Sequence, residues 1–111
     1  MKTTIVVNRN GMGEAHSDLS QKLITNYFSI MLEEMAIPAY LCFYAEGVKL
    51  TIDGSPILEY LKELEKRGVN ILICKTCLVY YDAVDRVKAG CVATMYDIMG
   101  AQNNCDKVIV L

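Results

Sequence analysis

Short hydrophobic runs alternate with longer segments of mixed polarity along the whole chain. Runs typical of buried strands occupy residues 3–7, 39–44, 70–73, 90–93 and 107–111. In the segments between several of them, apolar residues recur every three or four positions, as in an amphipathic helix. Strands that alternate with helices predict an α/β fold, with a mainly parallel sheet and helices on both of its faces.

Three of these segments predict helices with recognisable ends. The first starts at Ser17 or Asp18 and stops before Pro38, the second opens with Ser55 and Pro56, and Thr94 caps the third. The predicted buried residues are Leu19, Leu23, Ile24, Tyr27, Ile30, Met31 and Met35 in the first helix, Ile57, Leu58, Leu61 and Leu64 in the second, and Met95, Ile98 and Met99 in the third.

The loops that follow the first three predicted strands fall at one edge of the sheet. In open parallel sheets, ligands and reactive groups gather at the carboxyl ends of the strands. Residues 8–13, 45–47 and 74–77 all lie at that edge, so we expect a site there, with Asn8, Gly13 and Gly47 shaping its rim.

Composition and charge narrow the classes of protein. A chain of 111 residues makes one domain, residues 1–111, and its 53% hydrophobic content suits a sheet buried on both faces and a homo-oligomer. A net charge of −2 with scattered Lys and Arg argues against nucleic acid as a partner. No signal-peptide pattern and no apolar run of the ~18 residues that a membrane span needs are present, so we expect a cytoplasmic protein without a membrane partner.

The five cysteines include one motif, Cys74-Lys75-Thr76-Cys77, placed directly between a predicted strand and a predicted helix. The amide groups and dipole at the start of a helix stabilise a thiolate. Cys77 falls in the first helical turn and is the predicted nucleophile, while Cys74 at the strand end is placed to modulate or resolve it. Lys75 adds a positive charge, and Thr76 lies in the same turn.

Four interpretations of the cysteine pair compete. Both thiols can be structural, or they can hold zinc, but zinc needs two further ligands, and His16, Cys91 and Cys105 form no second pair. A thioredoxin-like exchanger carries its motif after the first strand, whereas here two strand–helix units come before it. The fourth interpretation is a persulfide carrier, which needs an accessible thiolate but no metal and no cofactor.

The same residues resemble a known family. The cysteine segment is similar to that of DsrE/DsrF-like sulfur-relay proteins, and most closely to the DsrE-like carboxyl-terminal domain of YedF selenium-metabolism proteins. The likeness spans nearly the whole chain and is carried by Cys74-Lys-Thr-Cys-Leu-Val-Tyr-Tyr81, Gly11-Met-Gly-Glu14 with Asp18-Leu19 and Leu23, Gly47-Val-Lys-Leu-Thr51 with Gly54-Ser55, Leu61-Lys-Glu-Leu-Glu-Lys-Arg-Gly-Val69, and Thr94-Met-Tyr-Asp-Ile98.

The resemblance implies a three-layer α/β/α sandwich with a five-stranded sheet, and a sulfur-accepting cysteine at Cys77. It also implies assembly into dimers, trimers or hexamers. YedF proteins usually carry a TusA-like domain with a Cys-Pro-x-Pro motif, which this sequence lacks, so we expect a separate donor or acceptor such as a TusA-like carrier. The alternative function is a non-catalytic oligomeric module that senses redox state or binds a partner, followed by a thiol–disulfide oxidoreductase.

Overall fold

A single five-stranded sheet forms the centre of the molecule in the computed structural model, which describes residues 1–111. Its strand order is β4-β3-β2-β1-β5, and every neighbouring pair is parallel. This arrangement confirms the predicted α/β fold. The strands are β1 Thr3–Val7, β2 Tyr40–Phe43, β3 Asn70–Cys74, β4 Cys91–Ala93 and β5 Lys107–Val110.

Helices cover both faces of this sheet. They are α1 Ser17–Glu33, α2 Leu58–Lys66, α3 Lys75–Tyr80 and α4 Met95–Asn103. Right-handed crossovers place α1 and α2 on one face and α4, which returns across the sheet from β4 to β5, on the other. Short 3₁₀ helices at Ala45–Thr51 and Val84–Arg86 complete the elements, and none of the helices is both long and apolar enough to span a membrane.

Side chains at the start of α1 and α4 accept hydrogen bonds from the free N–H groups of the first helical turn. The Thr94 hydroxyl accepts the Asp97 N–H while the Asp97 carboxylate accepts the Thr94 N–H, which confirms Thr94 as the cap of α4. Helix α1 begins at Ser17, and its N-cap is His16 instead of the expected Ser17 or Asp18, since Nδ1 of His16 accepts the Asp18 N–H at 3.2 Å. The only histidine of the chain is therefore a helix cap.

The hydrophobic core lies on both faces of the sheet, against α1 and α2 on one side and against Ile98 and Ala101 of α4 on the other. Both faces of the central strands are apolar, and Val6, Leu41 and Ile73 are fully buried. On the opposite face, the Thr4 hydroxyl donates a hydrogen bond of 2.9 Å to the Ala101 carbonyl of α4. Because side chains alternate along a strand, this contact assigns Thr4, Val6 and their sheet neighbours to the α4 face.

The buried stripe of α2 agrees with the sequence pattern, but those of α1 and α4 are displaced. Helix α1 carries apolar residues on two of its faces, and only one of them can pack on the sheet. In α4, Met95 and Met99 lie on the exposed side. The residues that are buried are Ser20, Ile24, Phe28 and Met31 in α1 and Ile98 and Ala101 in α4, whereas Leu19, Leu23, Ile30 and Met35 are exposed.

Candidate functional site

The carboxyl ends of β1, β2 and β3 lie side by side. The parallel register pairs Val7 with Phe43 and Phe43 with Ile73, so the residues that follow these positions meet at one edge. The residues at this edge are Asn8 after β1, the turn into the 3₁₀ helix after β2, and Cys74 at the end of β3. The loops that the sequence placed together therefore do share an edge of the sheet.

The two motif cysteines occupy different environments at this edge. Cys74 is the last residue of β3 and the N-cap of α3, and only 1% of its surface is exposed. Cys77 lies in the first turn of α3, is half-buried and packs against the core. A molecule in solvent can therefore reach the sulfur of Cys77 but not that of Cys74. Lys75 and Thr76, between them, are exposed.

A backbone amide from the neighbouring loop points at the Cys77 sulfur. The Ala45 N–H donates to Cys77 Sγ over 3.1 Å, and the two residues are 32 positions apart in sequence. Ala45 has a φ of 51°, in the left-handed region that non-glycine residues rarely adopt. Such backbone strain persists only where the surrounding structure holds it in place. Because a donated hydrogen bond favours the charged form of its acceptor, this amide stabilises a Cys77 thiolate.

Gly47 brings the 3₁₀ helix close to the end of β1. A Cβ atom at this position would overlap the Val7 carbonyl oxygen and crowd the Cα of Asn8. Only glycine permits this approach. Gly47 was predicted to shape the rim of the site. In the structure it does so by packing, because its lack of a side chain sets the distance between the loop that carries Ala45 and the end of β1.

Several interactions act on the pKa of Cys77, and together they raise it above the ordinary value of a thiol. Burial raises this pKa, the Ala45 N–H lowers it, and the adjacent Cys74 thiol raises it again. The sequence pattern favoured a lowered pKa because of the helix start. In the structure the pKa is raised instead, because partial burial of Cys77 outweighs the hydrogen bond from the Ala45 amide. Helix α3, whose first turn holds Cys77, is only 6 residues long.

Two open clefts flank the cysteine edge. One, of about 480 Å³, is lined by nine residues that include Asn8, Gly13 and Glu46. The Oδ1 atom of Asn8 is buried and has no hydrogen-bond partner. Asn8 and Gly13 therefore line a cleft at this edge of the sheet.

The second cleft, of about 330 Å³, carries both charged and aromatic groups. Lys49 lies over the ring of Tyr81, with its Nζ atom 4.6 Å from the ring centre. Arg86 forms a two-bonded ion pair with Asp53, at 2.7 and 3.1 Å, which lowers the pKa of the Asp53 carboxyl. Tyr81 lines this cleft, and its pKa is raised by burial and then by the nearby charges of Glu46, Tyr80 and Cys77.

Sequence reasoning identified the cysteine pair but missed the groups that surround it. No pattern marks the Ala45 amide as a partner of Cys77, because this contact depends on how two distant loops pack. Among the residues of the chain, no three His, Cys, Asp or Glu side chains cluster in a way that could hold a metal ion. The arrangement supplies one accessible sulfur, one amide donor and one buried second sulfur, a set suited to thiol chemistry.

Comparisons with known proteins agree with this fold. The YchN protein of E. coli superposes with a TM-score of 0.70 at 17% identity, over 100% of both chains. A protein of unknown function, MTH1491 of Methanobacterium thermoautotrophicum, gives a TM-score of 0.72 at 18% identity, over 99% of this chain and 98% of that one. No curated protein sequence matches. The model of the DsrE/DsrF-like family matches residues 1–111, and the chain therefore belongs to the DsrE/DsrF-like family.

Proposed function

We propose that this protein is a persulfide carrier in a cytoplasmic sulfur relay, with Cys77 as the sulfur-bearing residue. The observation that carries the proposal is the 3.1 Å hydrogen bond from the Ala45 amide to an accessible Cys77 sulfur at the carboxyl edge of the sheet. Membership of the DsrE/DsrF-like family, which is generally linked to sulfur relay, supports the same chemistry.

The proposed transfer needs only thiols. The Cys77 thiol loses its proton, and the thiolate attacks the outer sulfur of a donor persulfide. A new S–S bond forms on Cys77, the donor's S–S bond breaks, and the donor leaves as a thiol. An acceptor thiolate then attacks the outer sulfur on Cys77 in the same way and frees the Cys77 thiol. No metal, cofactor or external oxidant is required.

The environment of Cys77 affects both states of this cycle. Because its pKa is raised, most of the Cys77 side chain is protonated at neutral pH, which slows attack on a donor. The Ala45 N–H, which donates to Cys77 Sγ, favours the thiolate that attacks the donor. In the loaded state the charge lies mainly on the outer sulfur, and partial burial of Cys77 shields the persulfide from unselective thiols.

The carrier requires partners that supply and accept the sulfur atom. A TusA-like carrier is the proposed protein partner, and assembly of the chain into a homo-oligomer is part of the proposal. Exposed apolar side chains on α4 and on the edge strand β5 support assembly, since monomers seldom leave such residues grouped in water. Kinship with the YedF subgroup, and selenium as an alternative cargo, are extensions of the same proposal that rest on the resemblance of the sequence.

Mass spectrometry after incubation with a persulfide donor tests the proposal. We expect the wild-type protein, alkylated immediately after loading, to gain one sulfur atom and the Cys77→Ser variant to gain none. Cys91→Ser is the matched control, because Cys91 is the exposed cysteine of the chain and lies outside the motif. A Cys77→Ser variant that takes up sulfur as readily as wild type would rule out the assignment.

The exposed apolar side chains of α4 and β5 favour one second candidate, a non-catalytic oligomeric module whose cysteines respond to redox state. This candidate predicts no uptake of sulfur from a persulfide donor. It also predicts a change of assembly or partner binding after mild oxidation, which sedimentation would detect. Sulfur uptake at Cys77 without any such change would exclude it.

A further inference from the structure

Cys74 is a buried thiol for which the carrier cycle has no use. It belongs to the hydrophobic core and is 1% exposed, so no donor or acceptor protein can reach its sulfur. A buried structural cysteine is ordinarily inert. Cys74 differs from such a residue because its nearest reactive neighbour, Cys77, is open to solvent.

The backbone places the two cysteines one helical turn apart. Cys74 is the N-cap of α3, with φ −61° and ψ 116°, and Cys77 is the third helical residue. Residues three positions apart at a helix start lie on the same side of the helix. Cys-x-x-Cys at a strand–helix junction is an arrangement in which disulfides open and close. The interaction between the two thiols, which contributes to the raised pKa of Cys77, agrees with this closeness.

We propose that Cys74 is an intramolecular resolving thiol, which discharges a Cys77 persulfide as hydrosulfide and leaves a Cys74–Cys77 disulfide. The proposal rests on the proposed function, since it begins from the loaded carrier. It adds a fate for the sulfur atom other than transfer to a partner.

The step is balanced without an outside oxidant. The Cys74 sulfur attacks the inner sulfur of the persulfide, and a bond forms between the two cysteine Sγ atoms. The bond between Cys77 Sγ and the outer sulfur breaks, and the outer sulfur leaves with the electron pair as hydrosulfide. The proton of the Cys74 thiol passes to solvent or to the leaving group. The outer sulfur is reduced, the Cys74 sulfur is oxidised, and a dithiol reductant later restores both thiols.

In the reverse step, inorganic hydrosulfide is a second class of substrate. On the disulfide form, hydrosulfide can reach only the Cys77 sulfur, because Cys74 is buried. Attack there breaks the bond between the two cysteine sulfurs, forms the Cys77 persulfide and frees the Cys74 sulfur, to which the proton of the hydrosulfide passes. The oxidised protein can thus load itself from sulfide without a protein donor.

Two experiments on the full chain test the proposal. In the first, the protein is loaded with inorganic polysulfide, freed at once from the excess and from the hydrosulfide that loading expels, and the hydrosulfide released afterwards is measured. Wild type and Cys91→Ser should release hydrosulfide and end two hydrogen atoms lighter than the reduced protein, while Cys74→Ser should keep its extra sulfur. Release from Cys74→Ser at the wild-type rate, or no release from wild type, would overturn the proposal.

The second experiment uses only the wild-type protein and needs no loading by a persulfide. The protein is oxidised with diamide, treated with sodium sulfide and alkylated. We expect a Cys74–Cys77 disulfide and then one additional sulfur on Cys77 with a free Cys74. Absence of the disulfide, or its opening without sulfur on Cys77, would disprove the resolving role even if Cys74→Ser fails to fold. Failure of reduced wild type to load from a persulfide donor would instead disprove the carrier function alone.

Discussion

At the scale of single residues, the chemistry depends on how burial is divided among the cysteines. Cys42 and Cys74 are buried, Cys77 is half-buried and Cys91 is exposed. Burial raises the pKa of a thiol because a thiolate loses its hydration. The same physical effect therefore makes Cys42 inert and sets the rate at which Cys77 reacts. For Cys77 it predicts how reactivity changes with pH, and for Cys42 how the stability of the fold changes with pH.

The reactivity of Cys77 should rise steadily through the neutral range. Because burial raises the pKa of Cys77 above the ordinary value of a thiol, its thiolate fraction grows about tenfold for each pH unit through the neutral range. We expect the rate of Cys77 alkylation by iodoacetamide, followed by peptide mass spectrometry, to rise in this way between pH 6 and 8. A plateau already reached at pH 7 would show that the helix start and the Ala45 amide outweigh burial.

Ionisation of Cys42 should destabilise the fold at high pH. Burial, followed by the nearby Cys105 charge, raises the pKa of Cys42 from 9.0 to about 11. The unfolded chain loses this proton first, so ionisation favours unfolding as the pH rises from 9 towards 11. The linked loss is about 2–3 kcal/mol in the free energy of unfolding.

Urea unfolding of wild type and Cys42→Ala across this pH range checks the expectation. The variant starts from a lower stability because it lacks a buried side chain, but it should lose less stability as the pH rises. The stability difference between the two proteins should therefore shrink. A difference that stays constant up to pH 11 would contradict the account of Cys42.

At the scale of elements, the site depends on the contact between the 3₁₀ helix Ala45–Thr51 and the end of β1. Gly47→Ala would place a methyl group against the Val7 carbonyl. We expect a loss of about 1–3 kcal/mol in the free energy of unfolding, together with slower sulfur loading, because the loop that carries the Ala45 amide must shift.

Gly100→Ala is the matched control for this substitution. Gly100 lies inside α4, and a Cβ there meets no atom within 4 Å. We expect this variant to be stabilised by up to about 1 kcal/mol, since alanine favours a helix more than glycine does. Equal stability of Gly47→Ala and wild type, measured by urea unfolding, would show that the close approach is not required.

The elements also show what the sequence can predict. All five strands were predicted, because short apolar runs suit a sheet buried on both faces. The buried apolar stripe of α2 was predicted correctly, because the opposite face of this helix is strongly charged. The prediction for α1 was wrong at Leu19, Leu23 and Ile30, since a helix with two apolar stripes has no sequence signal for the one that faces the sheet. The position of Cys77 followed from the motif, but its amide partner did not.

At the scale of the whole molecule, one sheet face is only partly covered. Helix α4 is the one helix assigned to that face, and it has 9 residues against five strands. Val108 and Val110 of β5 pair with Thr4 and Val6, so they lie on the same face, and both are exposed. These two side chains and the exposed Met99 of α4 are apolar groups of the kind that another copy of the chain would cover.

The expected homo-oligomer should therefore weaken when a charge is introduced among these side chains. We expect wild type to sediment above the 12.4 kDa of a single chain and Met99→Lys to shift towards it. Lys62→Ala, on the charged side of α2, is the control and should behave as wild type. A wild-type monomer at all accessible concentrations would contradict the assembly, but not the chemistry of Cys77.

The central claim is that Cys77 receives a sulfur atom and passes it on. The most direct measurement follows isotopically labelled sulfur from a persulfide donor, through this protein, to an excess of a second thiol, with peptide mass spectrometry at each stage. We predict the label on the Cys77 peptide first and on the acceptor afterwards, with no transfer by Cys77→Ser. Label that bypasses Cys77, or reaches the acceptor equally fast with Cys77→Ser, would contradict the account.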